Sequence, residues 1–139
     1  MEWIYNGKKF EKEDIGENYG FIYRITNTDN GYDYVGRKYF YTKRKLKPLK
    51  GKKRKRIKIV ETDWDSYYGS SNRLTAAIEE LGKGVFKREI IHLCKTRGET
   101  NYMEMWYQVQ ENVLLREDNY NGIIAIKLNH NSVKNLSIP

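Results

Sequence analysis

Apolar and polar residues change period several times along the chain, and each change marks an element. Residues 20–26 and 32–39 read as two short strands separated by Thr, Asn, Asp and Gly, the pattern of a β-hairpin. If Ile25 faces Tyr32, the loop is Asn27–Asn30 and Tyr23 lies opposite Tyr34, with Cβ atoms ~5 Å apart on one sheet face. Upstream, Ile4-Tyr5-Asn6-Gly7-Lys8 places Asn-Gly between β-prone residues. That tight-turn signal predicts a small hairpin or arm within residues 1–18. Farther on, Leu74, Ala77, Ile78 and Leu81 fall at i, i+3, i+4 and i+7. Residues 71–81 are thus predicted helical, with Ser70 or Ser71 as cap and Gly82 as stop. Residues 85–94 predict a strand, and Thr96-Arg97-Gly98-Glu99 has the chemistry of a helix start. Tyr102, Trp106, Val109 and Val113 would form the apolar stripe of a helix over 100–115. A turn at Asn119–Gly122 and a short apolar strand from Ile123 to Ile126 follow, and the last ten residues are polar without a period.

The order β-β-insert-α-β-α-β predicts an α+β fold, a small antiparallel β-sheet flanked by helices. It divides the chain into an N-terminal arm or hairpin (1–18), a main domain (19–128) and a C-terminal tail (129–139). Residues 41–62 interrupt the main domain as an insert. At most a short helix near 41–47 precedes Pro48, and Gly51 argues against a long one.

Charge changes the picture of that insert. The chain has 139 residues, 26 Lys/Arg and 18 Asp/Glu, for a net of +8. Residues 43–58 alone hold 11 Lys/Arg and no acid, leaving 15 basic against 18 acidic residues elsewhere. Such a run repels itself unless a polyanion neutralises it, and nucleic acid is the usual polyanion. A solubilising loop or localisation tag is the plainer alternative. The length suits one domain with one core. No stretch approaches the ~20 apolar residues of a membrane span, and Met-Glu-Trp-Ile-Tyr does not read as a secretory leader. Cys94 is the only cysteine, so neither an internal disulfide nor a cysteine zinc cage is expected, and a cytoplasmic setting fits.

Several residues invite chemistry, each with an ordinary alternative. Tyr23 and Tyr34 bring two phenols to one patch beside Gly36, but tyrosine pairs also stabilise plain sheets. Glu104 lies off the apolar stripe of its helix, as do Gln108 and Glu111. Yet Asn101-x-x-Glu104 also resembles a reciprocal capping pair. Tyr68, Ser70 and Ser71 stand where a helix N-terminus can meet phosphate, or where a cap is simply needed. Asn121 can support a site or only make a turn. His92 reads as structural, and His130 has no partner at metal-binding spacing.

Taken in order, the motifs resemble the GIY-YIG nuclease family. Gly20-Phe21-Ile22-Tyr23 and Tyr34-Val35-Gly36 resemble its paired motifs, the tyrosines standing eleven positions apart with Phe21 as an extra residue in the first. Ser70-Ser71-Asn72-Arg73-Leu74 with Ala77-Ile78, then Gly84-Val85-Phe86 and Glu89-Ile90-Ile91, resemble its middle helix and third strand. Glu104-Met105-Trp106-Tyr107 resembles the helix carrying its metal-binding glutamate, and Tyr120-Asn121-Gly122 its closing turn. The basic insert, Trp64 and Tyr67-Tyr68-Gly69-Ser70-Ser71 further resemble a branch found in phage genomes, related to homing endonucleases.

The resemblance implies a DNA endonuclease that hydrolyses phosphodiesters with one divalent ion, Mg²⁺ or Mn²⁺. Glu104 would hold the ion, with Glu99 and Glu111 as alternatives, and Tyr23 and Tyr34 would position or deprotonate the attacking water. A phenol with a pKa near ~10 needs a nearby cation for that work. The family's count places an arginine at Arg44, with Arg37 or Lys38 nearer the hairpin end as alternatives; the histidine usual one turn later would fall on Pro48. Asn121 would support the site. Lys38, Lys52, Lys53, Arg54, Lys55, Arg56, Ser70 and Ser71 would contact phosphates. DNA is the implied partner with RNA left open, the setting is the cytoplasm of a phage-infected host, and a dimer is possible. A non-catalytic nucleic-acid-binding module on the same scaffold is the rival reading.

Overall fold

The computed structural model describes residues 2–139. Its centre is a five-stranded sheet in the order β2 (Lys8–Lys9), β1 (Trp3–Tyr5), β7 (Phe86–Cys94), β3 (Gly20–Asn27), β4 (Asp33–Tyr39), with a separate two-stranded ribbon of β5 (Tyr41–Leu46) and β6 (Arg56–Glu61). The opening hairpin is β3 (Gly20–Asn27) and β4 (Asp33–Tyr39). Its register is two residues away from the simple pairing: Ile25 faces Tyr34, and Tyr23 faces Gly36. The loop accounts for the shift. Asn27 N–H donates to the Tyr32 carbonyl, Asn27 Oδ1 accepts from Asp29 N–H, and Gly31 takes φ +78°. The Asx turn and the left-handed glycine together need four loop residues, Thr28 to Gly31, rather than the block Asn27–Asn30. A shift of two preserves the face of every side chain, whereas a shift of one would have reversed it.

The Asn-Gly turn joins β1 (Trp3–Tyr5) to β2 (Lys8–Lys9), with φ +51° at Asn6 and +79° at Gly7. β1 then pairs in parallel with β7 (Phe86–Cys94), and β7 pairs antiparallel with β3. The sheet is therefore antiparallel except at the β1/β7 step. Trp3 anchors β1: it is 1% exposed, packs edge-on against Phe21 and Tyr23, and donates Nε1–H to the Trp64 carbonyl.

Two helices cover the sheet. α1 (Asn72–Leu81) is capped by Ser71, whose Oγ accepts from Leu74 N–H, and stops at Gly82. α2 (Arg97–Gln110) is capped by Thr96 Oγ1, so the reciprocal pair Asn101/Glu104 is not its cap. It ends earlier than the expected 115. Asn112 adopts φ +54°, and Val113 N–H bonds back to the Gln108 carbonyl, a left-handed helix stop. The expected apolar stripe holds except at one position: Val113 is buried and Tyr102 and Trp106 pack against the core, but Val109 is 52% exposed, and Thr100, Met103 and Gln108 are buried beside them. α2 turns a partly polar face to the sheet because that face has polar partners there. No strand forms at Ile123–Ile126, where Ile123 and Ile126 are exposed. Instead, Asp33 makes an isolated parallel bridge to Asn119, so the closing segment lies against β4. A one-turn helix, α3 (His130–Val133), packs on the start of α2.

One core layer, containing Phe21, Tyr23 and Ile25, faces α1 and Trp64. The other, containing Ile22, Val35 and Met103, faces α2. Residues 41–47 are not helical: β5 (Tyr41–Leu46) pairs with β6 (Arg56–Glu61) as an exposed ribbon. Its base is fixed by Phe40, which is fully buried, packs against Trp64 and accepts from Thr62 N–H through its carbonyl.

Because β1 fills the core rather than decorating it, Trp3→Ala should destabilise the fold by about 3–5 kcal/mol, the usual loss for a large buried aromatic. Denaturant unfolding of the two proteins measures this, and a loss below about 1 kcal/mol would mean that the N-terminal hairpin is dispensable.

Candidate active site

β4 is an edge strand of the sheet, and a pocket wraps around its edge. From the α1 side come Tyr23 and Tyr34, rings 6.1 Å apart and tilted by 37°. Tyr67 stands edge-on to Tyr23 at 6.0 Å. Gly36 permits this crowding. A Cβ there would lie 2.5 Å from the Tyr23 hydroxyl and 2.8 Å from Tyr34 Cε1. What approaches Gly36 is thus the two tyrosine side chains themselves. From the α2 side come Arg37 and Glu104, paired Nη1 to Oε1 at 2.5 Å. Arg37 Nε donates to Tyr39 Oη at 3.2 Å, and Tyr39 in turn donates to Asn101 Oδ1. With Lys38 and Ser70 these groups line one pocket of about 240 Å³.

The loop before α1 is held so as to deliver Tyr67. Arg88 on β7 donates from Nη1 to the Asp65 and Tyr67 carbonyls, and its guanidinium lies 4.6 Å from the Trp3 ring centroid. Lys38 closes the same corner, 2.6 Å from Asp63 and 4.0 Å from the Tyr67 ring centroid. A second depression, walled by Tyr34, Ser70, Arg73 and Asn121, adjoins the first through Tyr34 and Ser70.

Burial dominates the electrostatics. It pushes the Tyr23 phenol well above its ordinary range, reinforced by Tyr67, Tyr34 and Glu104 around it. Tyr34 is raised by burial too, eased by its hydrogen bond to Ser70. Burial raises Glu104 against the opposing pull of Arg37. Arg37 is desolvated, but Glu104 and Tyr39 hold it firmly charged. The phenols are therefore held in their protonated, hydrogen-bond-donating form, and ionising one requires another cation close by.

The donor set bears on a metal. Among the described residues no group of three or more His, Cys, Asp or Glu could hold an ion. A single partly buried carboxylate facing phenol and hydroxyl oxygens fits a hard divalent ion that keeps most of its water, Mg²⁺ or Mn²⁺, and does not fit a zinc cage. The other two glutamates lie elsewhere. Glu99 is in the first turn of α2, and Glu111 pairs with Arg24.

Arg44, the position reached by counting along the chain, lies exposed on β5 opposite Lys58 and does not line the pocket. The remodelled insert is the reason: the count presumes a helix where this chain has a ribbon. Arg37 and Lys38 are the lining cations. Lys52, Lys53, Arg54 and Lys55 lie around the exposed ribbon tip, and Arg56 begins β6. Ser70 lines the pocket, whereas Ser71 caps α1 and donates to the Tyr120 carbonyl. Asn121 is buried behind the site: its Oδ1 accepts from Val35 N–H and its Nδ2 donates to the Val35 carbonyl. The sequence does not single out Tyr39, and it marks Tyr67 only as part of a family-like stretch, without a role at the site. Tyr39 follows Arg37 by two positions on the same strand face, a spacing that could flag it; Tyr67 depends on a loop that no pattern specifies.

The family model described as "Putative endonuclease segE, GIY-YIG domain" matches residues 3–125. No curated protein and no solved structure matches the chain.

Two outcomes follow from this geometry. Gly36→Ala should displace Tyr23 and destabilise the fold by about 1–3 kcal/mol through overpacking; unchanged denaturant stability would show that the tyrosines can retreat freely. Glu104 has a raised folded pKa, so its native form holds the proton more tightly than its unfolded form. Its contribution is complete below the ordinary carboxyl range and is lost as pH rises through the raised value. Glu104→Gln should gain stability relative to wild type across that window, read from unfolding curves at a series of pH values. A stability gap independent of pH would remove the desolvated carboxylate.

Proposed function

Because the chain belongs to the GIY-YIG endonuclease family, we propose that it cleaves DNA in a divalent-metal-dependent reaction at the β4-edge pocket. An endonuclease acts on nucleic acid; duplex DNA is the finer assignment. The supporting observation is convergence: two phenols, one charged guanidinium and one carboxylate share a single pocket of about 240 Å³, although they come from three separate elements.

Each residue has a defined task. Arg37, fixed between Glu104 and Tyr39, offers its remaining N–H groups to the scissile phosphate and meets the charge that develops on it. Tyr23 and Tyr34 orient the attacking water by hydrogen bonds from protonated hydroxyls. Tyr67 closes one wall and Lys38 brings a second positive charge. Glu104 would be the one protein carboxylate on the ion, and Asn101 and Tyr39 set the direction of Arg37. When bound, Mg²⁺ or Mn²⁺ would supply Lewis-acid stabilisation of the phosphate and the leaving oxygen. A phage setting and a dimer for paired cuts belong to the same proposal.

Incubation of full-length protein with supercoiled plasmid tests it. Wild type should nick or linearise the plasmid with Mg²⁺ and not with EDTA. Glu104→Ala should lose cleavage while binding DNA in EDTA nearly as before. Salt-sensitive binding by wild type without metal-dependent turnover would leave a non-catalytic binding module. Arg37→Ala should lower the turnover rate by roughly 10²–10³, the range for removing one preorganised donor. Arg44→Ala should change affinity and not turnover. The reverse result would move the catalytic cation onto the ribbon.

A further inference from the structure

The ribbon has features that a phosphate clamp does not require. It is an ordered antiparallel ladder, with Lys43 facing Ile59, Arg44 facing Lys58 and Lys45 facing Ile57. Direct opposition of Arg44 and Lys58 disfavours the ladder, and a lone two-stranded hairpin is marginal in water. A stable partner for it must be anionic, as the 11 cations and no acids of residues 43–58 require. One face nevertheless carries two β-branched residues, Ile57 and Ile59, which are 62% and 64% exposed. Arg56 and Lys58 flank Ile57, and Lys58 and Val60 flank Ile59.

We infer that the β5-β6 ribbon enters the major groove of duplex DNA and presents Ile57 and Ile59 to thymine methyl groups. The inference rests on the endonuclease reading for its substrate class. The dimensions agree. A two-stranded ribbon is an element that the groove, about 12 Å wide and 8.5 Å deep, admits. A six-residue strand reaches ~20 Å. Same-face residues two apart stand ~6.7 Å from each other, which matches two base steps of ~3.4 Å along a strand. Lys43 and Lys45 share the face of the isoleucines, within reach of guanine acceptors. The cations of the tip, Lys52 to Lys55, reach the phosphates on the groove walls. An A-form RNA duplex has a deep, narrow major groove that side chains cannot read, so the same geometry selects DNA. The anchored Phe40 joint makes the placement of the ribbon relative to the pocket definite.

Binding in EDTA by the full-length protein tests this apart from cleavage. Selection from a random duplex library should enrich a short thymine-containing motif. Replacing its thymines by uracil removes only the C5 methyl groups, and should weaken wild-type binding about four-fold for each methyl group touched. The Ile57→Ser/Ile59→Ser double variant should bind with the same salt slope as wild type but with no uracil effect. Changing Lys52, Lys53, Arg54, Lys55 and Arg56 to Ser should flatten the salt slope by several units, at roughly 0.9 for each phosphate no longer neutralised, for all sequences alike. The uracil comparison on wild type does not depend on how well any variant folds. No enriched motif, or no uracil effect on wild type, would overturn the inference and leave a pure phosphate clamp. Equal binding to duplex RNA, or preference for anionic phosphatidylserine vesicles over DNA, would overturn it as well. Metal-dependent cleavage with uracil-insensitive binding would sink this inference alone. Thymine-dependent binding without any cleavage would sink the catalytic reading and keep the ribbon.

Discussion

The backbone of one residue, Val35, organises the site. β4 is an edge strand, so Val35 has no neighbouring strand on its outer side. Its side chain is fully buried, and leaving a buried peptide group unpaired costs about 1–3 kcal/mol. The Asn121 side chain supplies both missing bonds, and Gln108 Nε2 adds a second donor to the same carbonyl at 3.0 Å. Gln108 thereby fixes the roll of α2 against the strand. Glu104 lies four residues earlier on that helix and so stands over the same edge, one turn along. Asn121 fixes the closing segment, whose Tyr120 carbonyl accepts from the capping serine of α1. Strand edge, glutamate helix and α1 entrance are tied to one point, with Tyr34 and Gly36 on either side of it.

A second polar cluster steadies the far end of β4. Asp33 accepts from Asn119 and Arg116 and pairs with Arg24, which also meets Glu111. These ion pairs are partly exposed, so their worth lies more in fixing direction than in net stability. Among the described residues, Glu111 Oε2 has no hydrogen-bond partner. Together with the bonds to Val35, the cluster leaves β4 little freedom to shift along β3.

The parts of this fold that are legible in sequence are those governed by local rules. Asn6-Gly7, Ser71 and Gly82 mark turns and ends because backbone geometry demands them. Tyr23 and Tyr34 share a face in the expected register and in the observed one, since strand alternation survives a two-residue shift. Long-range accommodation is less legible. α2 hides Gln108 and exposes Val109, which no apolar periodicity would propose, because the glutamine side chain answers a backbone need 73 positions away. The insert defeats counting: eleven like charges and a proline suggest an open segment, yet cross-strand pairing organises it as a ribbon. Asn121 presents a choice between turn and support, and its backbone bond to Asn119 and side-chain bonds to Val35 let one residue do both.

Phe40 alone separates β4 from β5, and it is locked among Phe10, Phe21 and Trp64. A flexible tether between a grip and a reactive pocket would average over the shapes of a bound duplex; a single buried residue does not. If the ribbon holds DNA as inferred, the curvature of that DNA is passed through this joint to Arg37 and Tyr39. Sequences differ in the energy needed to bend and twist them. The stiffness of the substrate would then become a determinant of how well its phosphate seats, even at base pairs that no side chain touches.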